Sequence, residues 1–160
     1  MIELIVAGGL LFIFLVFRSR FAEMGNRIAR LFEKKRSRQL EIINAYRLDN
    51  GLAVLKEDAA LHALAKRHSV CMAERGACGH RGEEERLDSV RKISGSRFAA
   101  ENCFSYKRPF YGKRIDGRLP QTWLRAGQNR AHILNSNLKK IGVGVVSRKG
   151  QVYTTHLFSG

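Results

Sequence analysis

An α+β domain is the fold class this sequence predicts, and three observations carry the prediction. A helix that ends at Asn50-Gly51 is followed by a second helix that Asp58 can cap. The chain then closes on β-branched and aromatic runs at Val143, Val145 and 152–158, with Arg148-Lys149-Gly150 between them as a hairpin turn. Helices first and paired strands last argue for layers of both kinds. With 160 residues, 44% of them hydrophobic, the part beyond the N-terminal segment is enough for one core and not for two.

The N-terminal segment is expected to be a membrane anchor spanning residues 1–20. Residues 4–17 carry no charge and are rich in Leu, Ile, Phe and Val, and Arg18 and Arg20 follow at once. This is shorter than the roughly 20 residues of a comfortable span, but Ile2 and snorkelling arginines extend it. A cleaved signal peptide wants a basic start and a small-residue cleavage site, whereas this chain begins Met1-Ile2-Glu3. The expectation is therefore a retained, single-pass N-terminal transmembrane helix in contact with the lipid bilayer. Residues 21–39 read as a basic helical stalk, because Phe21, Met24, Ile28, Leu31 and Phe32 recur at helical spacing. Such a stripe suits anionic headgroups or a partner helix. Arg18, Arg20, Arg27, Arg30, Lys34, Lys35, Arg36 and Arg38 all follow the anchor, so the positive-inside rule puts the domain on the cytoplasmic side.

Within residues 40–160, Leu61, Leu64, Ala65, His68 and Met72 share one helical face, which makes His68 a packed helix residue. His62 is expected to face solvent. His156, beside Thr155 in the last strand, is expected at the edge of the core, where it could border a cleft. Gly127 interrupts a helix, and Asn129 is then a natural N-cap for a new one starting at Arg130.

A series of motifs carries a family resemblance. Ile42-Ile43-Asn44-Ala45-Tyr46-Arg47, His68-Ser69, His80, Ala100-Glu101-Asn102, Trp123, Asn135-Ser136-Asn137 and Ile141-Gly142-Val143-Gly144-Val145 follow one another in order. This order resembles the CAP superfamily (SCP-like), which covers cysteine-rich secretory proteins, venom allergens, pathogenesis-related proteins and many small bacterial proteins. The resemblance runs from about residue 40 to 158 and implies a three-layer α-β-α sandwich with a cleft built on His80 and Glu101. It also implies a location outside the cytoplasm, against the charge rule. Bacterial members usually carry Gly-His-Arg-Ala-Asn-Ile-Leu after the tryptophan, where this chain has Gln128-Asn129-Arg130-Ala131-His132-Ile133-Leu134. The site histidine has thus become Asn129, and a histidine returns at His132, on the same side of a helix. The second glutamate of many eukaryotic members is replaced by Ala126.

The resemblance thus gathers His80, Glu101, His132 and Asn129 at a cleft. A carboxylate beside Phe98-Ala99-Ala100 must find a donor or become protonated, and His80 is the obvious donor. His80, Glu101 and His132 would be the minimum for an open zinc site, but no compact His-x-x-x-His spacing supports one. No zinc, or weak zinc binding, is expected. Cys71, Cys78 and Cys103 are odd in number, so at least one thiol stays free of any internal bridge. If the family site brings His80 to Glu101, Cys78 and Cys103 come close enough for a disulfide. The competing reading is three small buried hydrophobes.

Three functions remain open. The first is a membrane-anchored CAP-like module that holds a lipid, protein or other ligand in the cleft without turnover. The second is a peptidase-like hydrolase of the family, for which no serine nucleophile with a partnered base is identifiable. The third is a basic surface-binding protein that uses the fold as a scaffold. The formal charge of +15, and Lys107, Arg108, Lys113, Arg114 and Arg118 interleaved with Tyr106, Phe110 and Tyr111, raise single-stranded nucleic acid as its partner. Nucleic acid ranks below membrane attraction, because no recognised nucleic-acid motif is present.

Overall fold

The computed structural model describes the backbone of residues 2–107 and 127–160, and their side chains except those of residues 2–19, 21, 22, 28, 29, 32 and 35. The chain divides into two units, Met1–Lys34 and Lys35–Gly160. From Ile2 on, the first is helical, as the opening part of helix α1 (Ile2–Asp49). Of the predicted stalk stripe, Met24 and Leu31 are exposed, while Phe21, Ile28 and Phe32 lie outside the described side chains. Among the described residues no helix is long and apolar enough to cross a membrane. Residues 4–17, which carry the anchor prediction, fall where only the backbone is described.

In the second unit α1 ends where Gly51 takes a positive φ. A short strand β1 (Lys56–Glu57) leads to α2 (Ala59–Arg75), whose N-cap is Asp58: its carboxylate accepts from the backbone N–H of Ala60 and Leu61, as the sequence predicts. Helix α3 (Glu83–Ser94) was not anticipated, although its signals are local. Three glutamates open it, Arg91 and Lys92 close it, and both ends complement the helix dipole. Strands β2 (Ala99–Lys107), β3 (Lys140–Arg148) and β4 (Gln151–Ser159) and helix α4 (Gly127–Ile133) complete the unit.

The sheet is mixed, in the order β1-β3-β4-β2, with β1 parallel to β3 and the other pairs antiparallel. Lys149 and Gly150, both at positive φ, make the predicted hairpin turn between β3 and β4. Strand β2 was also missed: Glu-Asn-Cys-Phe-Ser-Tyr-Lys has no clean alternation, and it becomes a strand through its nine-residue ladder with β4.

Alternation along the strands decides which side chain meets which helix. Leu157 packs with Leu61, Leu64, Ala65 and Val90, and Tyr153 packs with Met72 and Ala73, so odd-numbered β4 residues face α2 and α3. On the other face Gln39 of α1 bonds Thr154 and His156. The glycines of Ile-Gly-Val-Gly-Val explain how closely α2 lies on β3. A methyl group on Gly144 would overlap the Ala65 backbone, and one on Gly142 that of Leu61. Hence α2 rests backbone against backbone on the sheet, which glycine alone permits.

Arg47 is only 2% exposed and ties the second unit together. Its guanidinium donates to the carbonyls of Ala53 (2.8 Å), Ile133 (2.6 Å), Asn135 (3.1 Å) and Leu138 (3.2 Å). The end of α1, the loop before β1, the end of α4 and the approach to β3 therefore converge on one side chain.

Candidate functional site

Glu101 sits at the centre of the site, on β2, with its side chain fully buried. Register pairs it with Leu157, so it faces α2 and α3. Arg86 of α3 grips both carboxylate oxygens, donating from Nε to Oε2 (2.6 Å) and from Nη2 to Oε1 (2.7 Å). His80 donates from Nδ1 to Oε1 (3.0 Å), and the Cys103 thiol donates to the same oxygen (3.3 Å). Burial alone would raise the pKa of this carboxyl, but the hydrogen bonds and charge of Arg86 win and hold it below the usual range. Glu101 is thus an anchor whose ionised form Arg86 favours. The principal donor is Arg86, not His80 as the sequence suggested, and Arg86 escaped sequence reading because α3 itself was not recognised.

Strand alternation separates the rest of the predicted set. Asn102 points to the face opposite Glu101, and His132 goes with it: His132 Nδ1 donates to Asn102 Oδ1 (2.7 Å), while Asn102 Nδ2 donates to the Asn129 carbonyl (3.2 Å). Asn129 lies inside α4 (Gly127–Ile133), so it is not the N-cap of a helix starting at Arg130. His132 is half-buried, and burial lowers its pKa; a hydrogen bond to the Glu101 backbone and the charge of Glu83 oppose this, and His80 reinforces it. His80 and Glu83 therefore sense His132 electrostatically, although the Glu101 carboxylate does not hold it.

The residues present do not fit the zinc set His80, Glu101 and His132. Among the described residues, groupings with ligand atoms close enough for one ion are His68, Glu101 and Cys103, and His80, Glu83 and Glu101. His132 is in neither, and both depend on the carboxylate already clasped by Arg86, whose charge opposes a second cation. All three cysteines are free thiols, so the Cys78–Cys103 bridge is not formed in this structure. Nor are the three uniformly buried: Cys71 and Cys78 are exposed. Burial and Glu101 together push the Cys103 thiol far above its ordinary value.

The remaining histidines are structural or shared. His62 is only partly exposed to solvent, because its Nδ1 lies 2.6 Å from the Val143 carbonyl and pins α2 to β3. His156 is buried between Phe104 and Phe158, bonded to Gln39, and burial alone pushes its pKa down to about 3. It belongs to the core. His68 is packed in the helix as predicted, but its Nδ1 also lies 3.8 Å from Glu101, a proximity the sequence did not reveal. Trp123, Ala126 and the basic-aromatic stretch beyond Lys107 lie outside the described residues.

Comparison with known proteins agrees with this architecture. Among solved structures, the chain is similar to an extracellular protein containing a SCP domain from Bacillus anthracis (22% identity, TM-score 0.67), covering 84% of this chain and 43% of that one. It is also similar to an outer surface protein of Borrelia burgdorferi (18%, 0.63; 76% and 88% of the two chains). A third similar structure is a cysteine-rich secretory protein of Staphylococcus aureus (22%, 0.54; 75% and 36%). The chain thus spans less than half of the Bacillus and Staphylococcus proteins, and among curated proteins none matches it. The sequence model of the cysteine-rich secretory protein (CAP) family matches residues 40–159, and the chain belongs to that family.

Proposed function

We propose that this chain is a membrane-anchored CAP domain that holds a lipid, protein or other ligand at the cleft around His80 and Glu101 without chemical turnover. The observation that carries the reading is how the two imidazoles at the β2 edge of the sheet are mounted. Adjacent β2 residues, Glu101 and Asn102, each accept a hydrogen bond from the Nδ1 of one histidine, His80 or His132. That contact orients each ring and leaves Nε2 as the nitrogen available to a ligand. Glu101 itself is spent on Arg86 and is not a general base. Ser69 is fully buried with its hydroxyl bonded to the Gly144 carbonyl, and the Cys103 thiol resists ionisation, so neither supports a hydrolase.

The anchor rests on residues 4–17, and the basic residues after it favour a cytoplasmic domain. The Bacillus and Borrelia proteins are described as extracellular and outer-surface. A reporter fused after Gly160 that works only inside, or only outside, the cytoplasm decides between the two sides. Ligand holding is tested by native mass spectrometry of the full chain isolated from membranes. A co-purifying mass that disappears in a His80→Ala, His132→Ala double variant supports it. Peptide or ester turnover that depends on His80 would replace it with the hydrolase reading.

A further inference from the structure

The helical unit Met1–Lys34 carries an apolar line that no other part of the chain is grouped with. Over residues 18–34 the helix is mostly charged or polar, yet Phe21, Met24, Ile28 and Leu31 recur at alternating steps of three and four residues. Met24 and Leu31 are 52% and 55% exposed. Phe14 and Phe17 hold the preceding places of the same line. Steps of three and four give a mean period of about 3.5 residues, shorter than the about 3.6 of a straight helix, so the line stays on one side when two helices wind around each other.

The course of α1, its charges and the end of the line each bear on what covers it. Helix α1 runs from Ile2 to Asp49 without a break, so it leads away from the anchor and puts residue 31 about 20 Å beyond residue 18, out of reach of the lipid. This step rests on the anchor reading. The charges select a second copy in one orientation. Between parallel, in-register copies each place flanking the line on one side meets the place five residues later on the other, so that Ile13 meets Arg18, Arg20 meets Gly25 and Arg27 meets Phe32. No two cations are opposed. Antiparallel copies would set the side of Arg20 and Arg27 against itself, cation on cation. The line also ends where it should. Its next places are the charged Lys35 and Arg38, the second unit begins at Lys35, and from there α1 buries Gln39, Ile43 and Arg47 in its own domain.

We infer that residues 14–31 form the seam of a parallel, in-register coiled coil with a second copy of this chain. A helix of this kind takes most of its stability from packing its apolar face, and copies anchored in one bilayer are already parallel, which lowers the ordering that association costs. The apolar stems of Arg20, Arg27 and Lys34 can lie along the rim of the seam with their charges in water. The pairing stands apart from the cleft reading, because either can fail without the other.

Cross-linking of the full chain in detergent tests the seam, in a Cys71→Ser, Cys78→Ser background that removes the two exposed thiols. Diamide oxidises two apposed thiols to a disulfide and is itself reduced. Met24→Cys and Leu31→Cys are each expected to give roughly tenfold more bridged pair than Asn26→Cys or Glu33→Cys, which lie on the opposite side of the helix. Bridging at both seam places requires parallel, in-register copies, since antiparallel helices bring only one place to its own counterpart. The mass of the solubilised chain, corrected for detergent, is expected to be that of two chains and to fall to one in a Met24→Glu, Leu31→Glu variant. Both residues are exposed in the single chain, and an unchanged thermal midpoint verifies the domain. A one-chain mass in the parent or equal bridging at all four places overturns the inference. So does seam bridging that phosphatidylglycerol vesicles abolish, which would make lipid the occupant. Alkaline extraction of the membranes tests the anchor separately, and the cross-links decide the seam whatever its result.

Discussion

Replacing Arg47 by methionine is expected to be among the most damaging single changes in the described core. Methionine keeps most of the apolar stem but strips donors from four carbonyls at once, those of Ala53, Ile133, Asn135 and Leu138. A buried acceptor left without a partner costs about 1 to 3 kcal/mol, and carbonyls with a second lone pair in use fall at the low end. Against this, the variant no longer buries a guanidinium, a burial penalised enough to lower the Arg47 pKa. The balance is a loss of about 3 to 5 kcal/mol, a large part of the roughly 5 to 15 kcal/mol that stabilises a typical domain. Arg47→Lys keeps the charge but gathers its donors on one nitrogen, which cannot span carbonyls on separate elements, so an intermediate loss is expected. Urea unfolding of the full chain, followed by circular dichroism, measures both variants. A loss below about 1 kcal/mol in Arg47→Met would show that water satisfies these carbonyls and that Arg47 is not a structural tie.

Two further outcomes follow from the packing and the buried imidazoles. Gly144→Ala forces a methyl group into the Ala65 backbone and is expected to cost about 3 kcal/mol, read as a lower thermal midpoint; a neutral result would mean that α2 can lift from β3. His156 and His68 titrate at about 3 and about 4 in the fold but near 6.5 when unfolded, so the unfolded chain binds more protons in between. Their stabilisation is full above about pH 6.5 and is lost as pH falls toward the folded values, at up to about 1.4 kcal/mol per pH unit for each. His156→Gln removes one of these groups, and the thermal midpoint should then fall less steeply between those limits; an unchanged slope refutes the assignment.

Much of the fold is legible in the chain because its signals are local. The Asp58 cap, the Asn50-Gly51 helix end, the apolar face from Leu61 to Met72 and the turn at Lys149-Gly150 each depend on residues within a turn or two of one another. Helix α3 is equally legible in its charge order, but its approach to β2, which brings Arg86 to Glu101, is not local. The ordered motifs located Glu101 and His80 correctly as neighbours.

What the chain by itself determined is therefore the elements with local signals and their order, the family and the pairing of an acid with an imidazole. Only the tertiary structure decided that Arg86 rather than His80 is the main counterion of Glu101, that Arg47 joins four segments, and that the His132 side chain serves the Asn102 amide and not the Glu101 carboxylate. The physical reason is the same in each case. These contacts join residues distant in sequence, and strand pairing turns Glu101 and Asn102 to opposite faces of one sheet, so that neighbours in the chain become neighbours of different helices.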